Sequence, residues 1–94
     1  MATHTIAQSI IDRYISRTAR SQAENEHASA FLPGGDTRSS VYFMPYPTYI
    51  ESGAGCHVTD VDGNRYLDFN NNYTSLIHGH AHPAVVEAVQ AQLR

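Results

Sequence analysis

Residues 60–83 read DVDGNRYLDFNNNYTSLIHGHAHP, and the fold turns on how this stretch is read. Asp62-Gly63-Asn64 lies between Cys56-His57-Val58-Thr59 and Arg65-Tyr66-Leu67-Asp68-Phe69. Both flanking runs are rich in β-branched and aromatic residues, so the pattern predicts two strands joined by a hairpin. Gly63 supplies the positive φ that such a turn requires. Beyond Phe69 the chain is polar through Asn70-Asn71-Asn72, continues as Tyr73-Thr74-Ser75-Leu76-Ile77, and reaches His78-Gly79-His80-Ala81-His82-Pro83.

Upstream, Thr48-Tyr49-Ile50-Glu51-Ser52 reads as a third strand and Gly53-Ala54-Gly55 as the turn after it, which completes a three-stranded antiparallel meander. Cys56 then reads as a small apolar strand residue. Downstream, Pro83 takes the first position of a helix that places Val85, Val86, Val89 and Leu93 along one face, with Glu87 in its first turn. At the other end, Ile6, Ile10, Ile11, Tyr14 and Ile15 form one apolar stripe of a helix over residues 5–19, which Thr3 or Thr5 can cap. The stripe thins after Ile15, and no boundary is marked before Pro33-Gly34-Gly35 stops any helix. The segment as a whole is therefore of the α+β kind.

Ninety-four residues allow one small domain with a thin core. The hydrophobic share of 41% and charged share of 16% exclude disorder, and a net charge of -3 offers no footprint for nucleic acid. Cys56 is the sole cysteine, so no intrachain disulfide forms and a reducing compartment fits best. Residues 1–8 lack a secretory pattern, and no run approaches the roughly 20 apolar residues of a membrane span. The expected location is the cytoplasm.

Three motifs invite chemistry and fail on inspection. On a strand, His78, His80 and His82 would face one way as metal ligands, but Gly79 and Pro83 break strand geometry, so the histidines read as caps and loop anchors and no metal is expected. A calcium loop with Gly63 at its sixth position would put Val58 and Phe69 where carboxylates are needed. Gly53-Ala54-Gly55 leads into a strand with no Gly-Lys-Ser or Gly-Lys-Thr after it, so it is not a phosphate loop.

Pro33-Gly34-Gly35, the strand and turn from Val58 through Gly63 to Phe69, and Gly79-His80-Ala81-His82-Pro83-Ala84-Val85-Val86-Glu87-Ala88-Val89 together resemble the N-terminal region of class III pyridoxal-phosphate aminotransferases, in the branch containing glutamate-1-semialdehyde aminomutase. The resemblance runs over residues 31–93. It implies an α/β enzyme of fold type I, homodimeric, with pyridoxal 5'-phosphate as cofactor, of which this chain would be the N-terminal segment: a helical lead-in over 1–30, part of the small domain over 31–82, and over 83–94 the start of a helix leading to the large domain. The implied activity is transfer of an amino group from an amino acid, a β-amino acid being one candidate, to a keto acid or aldehyde. The alternatives are an aminomutase, which is an isomerase, and a non-catalytic module that binds a partner or a metal.

The same resemblance implies two substrate-binding positions. Tyr73 stands where the branch has an aromatic lining the substrate pocket, and Arg38 resembles an arginine that some members use to hold a substrate carboxylate. Arg38 comes three residues earlier than in the aminomutase pattern, which favours a transaminase. By its context alone, Arg38 reads as a solvated loop residue. No catalytic residue is expected within the segment: the cofactor lysine of the family lies downstream, and all six basic residues here are arginines.

Overall fold

The computed structural model describes residues 2–36 and 39–94. The chain divides into two compact units, residues 1–49 with 60–64, and residues 50–59 with 65–94.

The first unit is built on two helices, α1 (Ala2–Arg17) and α2 (Ala19–Ser29). The expected helix over 5–19 thus begins earlier, at Ala2, so Thr3 and Thr5 lie inside it rather than capping it. It ends at Arg17, before Thr18, a residue the apolar pattern did not mark. Thr18 has φ -134° and ψ 38°, and its hydroxyl donates to the Tyr14 carbonyl at 2.6 Å. Such bonds from a threonine to the carbonyl four residues back bend helices, and here the bend becomes a break. The helical turn Pro33–Gly35 follows α2, with Gly34 at φ 73° and Gly35 at φ 74°.

Burial in this unit is mostly polar. Tyr46 and Pro47 are buried, and so are three polar side chains, those of Thr18, Ser21 and Asp60. Each of these three is hydrogen-bonded, as burial of polar groups requires. The Thr18 hydroxyl meets that of Tyr46 at 2.9 Å, and the Ser21 hydroxyl accepts the Tyr49 N–H at 3.0 Å. Asp60 accepts the N–H groups of Asp62 and Asn64 at 3.0 and 2.7 Å, which closes the tight turn that carries Gly63 at φ 87°. The Tyr14 hydroxyl donates to the Tyr46 carbonyl at 2.9 Å, and its ring lies 5.2 Å from that of Tyr46.

The second unit holds the sheet β1 (Ile50–Ala54), β2 (His57–Asp60) and β3 (Arg65–Leu67), in that order, except for Asp60 at the end of β2, which belongs to the first unit. The expected meander is present, with shifted ends. Strand β1 starts two residues later than expected and takes in Gly53 and Ala54, so the turn lies at Gly55-Cys56 instead. Cys56 is therefore an exposed turn residue and not a strand residue, with its Sγ 3.4 Å from His57 Nδ1. Strands β2 and β3 pair antiparallel, with Val58 opposite Tyr66.

After β3 comes the short helical turn α3 (Asn71–Thr74), then α4 (Pro83–Gln92). Pro83 opens α4 as expected, but Glu87 falls beyond its first turn, which holds no acidic residue. Val85, Val89 and Leu93 are exposed, and with Leu76, Ile77 and Val86 the helix borders a groove of about 390 Å³.

Candidate functional site

Everything that distinguishes the second unit chemically lies between β3 and α4, and it begins with one carboxylate. Asp68 follows β3, where its N–H donates to the Cys56 carbonyl at 2.8 Å. One of its oxygens accepts the N–H groups of Asn70 and Asn71 at 2.9 and 3.0 Å, and the other meets His80 Nε2 at 2.5 Å. The His80 ring, more than the two N–H groups, holds the Asp68 carboxyl below its ordinary range, with desolvation working against them. A single side chain thereby joins the start of the loop to its end.

His80 is seated by backbone as well as by charge. It forms an antiparallel bridge with Gly55, in which Gly55 N–H donates to the His80 carbonyl at 3.0 Å and His80 N–H to the Gly55 carbonyl at 2.9 Å. Its ring lies against Gly53, where a Cβ would come 2.8 Å from His80 Cγ, and a Cβ on Gly79 would come 2.7 Å from the Gly55 oxygen. Close approach therefore requires glycine at both positions.

Between these anchors the chain runs left-handed. Asn71, Asn72, Tyr73 and Thr74 have φ of 50°, 50°, 56° and 67°, and none is glycine. Such a conformation costs L-residues about 1–2 kcal/mol each, least for asparagine. Hydrogen bonds hold it: Tyr73 N–H donates to Asn70 Oδ1 at 3.0 Å, Thr74 N–H to the Asn70 carbonyl at 2.9 Å, and Leu76 N–H to the Asn71 carbonyl at 3.1 Å. Strained backbone of this kind collects at functional sites.

Tyr73 thus sits on the left-handed turn with 54% of its surface exposed. Ile50, Val58, Asp68, Asn72, Leu76 and His80, but not Tyr73, are among the residues that line an open cavity of about 420 Å³. Arg38, the other expected substrate residue, lies outside the described residues. Residues 78–82 are not a strand, in keeping with the break expected at Gly79 and Pro83: Gly79 and Ala81 have φ of 79° and 50°. His80 turns to Asp68 while the rings of His78 and His82 lie 5.4 Å apart. The Asp68–His80 pair went unread in the sequence, because nothing local links positions 12 residues apart.

Residues 39–94 match the model of the aminotransferase class-III family. A glutamate-1-semialdehyde 2,1-aminomutase of Syntrophobacter fumaroxidans is 48% identical over 75 residues, 77% of this chain and 17% of that protein. Among solved structures, a transaminase with PLP bound is 53% identical with TM-score 0.78, covering 81% of this chain and 18% of that one. A β-phenylalanine aminotransferase from Variovorax paradoxus is 34% identical with TM-score 0.81, covering 89% of this chain and 20% of that one. The chain spans only a small part of the length of each relative. The fold of the segment is that of these transaminases, and the chain belongs to the class III aminotransferase family.

Proposed function

We propose that this chain is the N-terminal part of a pyridoxal-phosphate-dependent aminotransferase, which moves an amino group from an amino acid, a β-amino acid being one candidate, to a keto acid or aldehyde. The observation that carries this reading is a match to transaminases at 53% and 34% identity along most of this chain but little of theirs. Exposed apolar side chains at Ile6, Ile10, Val85, Val89 and Leu93 support it, since such surface is normally covered by more protein. In this reading residues 1–30 are a lead-in, 31–82 belong to the small domain, and 83–94 start the helix toward the large domain of a cytoplasmic homodimer.

The cofactor, once bound, supplies the electron sink that makes the transfer possible. No residue here fits as its covalent holder, because the chain has no lysine, and no step through it is drawn from these residues. Their part is to build a wall of the substrate site. Tyr73 offers a planar face and a hydroxyl, and Arg38 a guanidinium fork that binds a carboxylate through two parallel hydrogen bonds.

The test is the full-length protein, loaded with pyridoxal phosphate and assayed with a matched amino acid and amine. Arg38→Ala removes charge-assisted bonds worth about 1.5–3 kcal/mol, so kcat/KM for the amino acid should fall roughly 10- to 150-fold, with Arg38→Lys intermediate and the amine little changed. Equal losses on both substrates would make Arg38 structural. The 48% identity to an aminomutase favours a second reading, isomerisation of an amino aldehyde, which the same protein would reveal by turnover without an external acceptor.

A further inference from the structure

We infer that Asp68 and His80 are positioning residues for the proposed amino-group transfer, closing residues 69–79 into a clamped loop that holds Tyr73 in its left-handed conformation. The effect on the reaction rests on the functional reading above; the clamp itself rests on this chain's geometry.

The turn is costly to hold. Four consecutive residues lie in the left-handed region, which strains L-residues, and Tyr73 and Thr74 lack the tolerance of asparagine. The hydrogen bonds within the turn start from Asn70 and Asn71, and these two residues are themselves held by Asp68 Oδ1. The loop returns at His80, where Asp68 Oδ2 meets Nε2 and the pair of backbone hydrogen bonds with Gly55 fixes the chain. If His80 leaves, the carboxylate keeps one end of the loop and loses the other.

Neither residue needs to touch substrate for this. Asp68 spends both oxygens on the loop, and His80 has Nε2 on Asp68 and its ring on Gly53. Their action passes through the placement of Tyr73, and misplacement by about 1 Å at an active site costs on the order of 100-fold in rate.

The experiment uses the full-length, cofactor-loaded protein with His80→Ala, His80→Gln and Gly53→Ala, each alone and combined with Tyr73→Ala. The glutamine amide can replace the Nε2 donor, while Gly53→Ala pushes the ring away without altering any polar group. His80→Ala and Gly53→Ala should lower kcat/KM by on the order of 100-fold. His80→Gln should recover most of that loss. In the Tyr73→Ala background both losses should nearly vanish, because coupled residues are not additive. Amide exchange at Thr74 and Leu76 should quicken in His80→Ala and stay slow in His80→Gln.

A lower melting temperature with kcat/KM unchanged at 25 °C would overturn the inference, as would losses that add fully to Tyr73→Ala. A wild type that transfers no amino group would sink the functional reading alone. In that event the exchange at Thr74 and Leu76 still decides the clamp, and unchanged exchange in His80→Ala would overturn it.

Discussion

The carboxylate of Asp62 accepts the backbone N–H of Ser21 at 3.0 Å, and its other oxygen accepts that of Arg20 at 2.8 Å. These are N–H groups of the first turn of α2, which have no partner within the helix. Thr18 at the N-cap does not serve them, since its hydroxyl bonds to Tyr14 and Tyr46. The tight turn around Gly63 therefore caps a helix more than 40 residues away in the sequence.

Asp62→Ala should destabilise the protein by about 0.5–2 kcal/mol, the range for loss of a helix cap. Urea unfolding measures it. A loss no larger than that of an exposed aspartate elsewhere, such as Asp12→Ala, would show that the cap contributes nothing.

Gly55 and Gly79 both have positive φ, at 58° and 79°, but their surroundings differ. A Cβ on Gly55 meets nothing within 4 Å, so Gly55→Ala should cost the conformational strain alone, about 1–2 kcal/mol. Gly79→Ala adds a clash with the Gly55 carbonyl, and overpacking of that kind brings a further penalty of about 1–3 kcal/mol. The ranking of the two in urea unfolding is the check; equal costs would mean that the Gly55–His80 bridge yields freely.

Among the described residues three groups bear on the pH range of stability: the Tyr14 and Tyr49 phenols, both raised chiefly by burial, and the Asp68 carboxyl. Burial raises the Tyr14 phenol above its ordinary 10.0, so its contribution is complete below pH 10.0 and is lost as pH rises through the higher folded value. Asp68 lies below its ordinary 3.8, so its contribution is present above pH 3.8 and is lost as pH falls through the lower folded value. Tyr14→Phe should remove part of the alkaline loss, while costing about 0.5–1.5 kcal/mol at neutral pH for each hydrogen bond it gives up. Unfolding midpoints measured from pH 3 to 11 in both proteins test this.

Incubation of the 94-residue chain with pyridoxal phosphate and borohydride, after the N-terminus is blocked, should leave no pyridoxyl group on any side chain. The reason is the absence of lysine from the sequence. A mass increase at an internal residue would contradict it.

The hairpin was legible because its instructions are local: Asp62-Gly63 calls for a positive-φ turn, and the flanking residues favour strands. Pro83 marked the start of α4 for the same reason. What escaped was set by distant partners. Asp62 reads as a turn residue and gives no sign of the helix it caps, and Thr18 breaks the helix between α1 and α2 where its hydroxyl finds Tyr14 and Tyr46. Tyr73 was singled out by resemblance alone. Its left-handed backbone was not foreseen, because Asn70-Asn71-Asn72 permits such a turn without requiring it.

The two asparagines at the head of that turn also shape the unfolded chain. Glycine would adopt the left-handed conformation at positions 71 and 72 with less strain, but it would leave the unfolded chain more freedom and so make the loop harder to order. Asparagine tolerates the conformation while keeping a side chain that narrows the unfolded ensemble. The loop can therefore run left-handed without being loose. Asn71→Gly and Asn72→Gly would keep its shape while raising the entropy lost on folding.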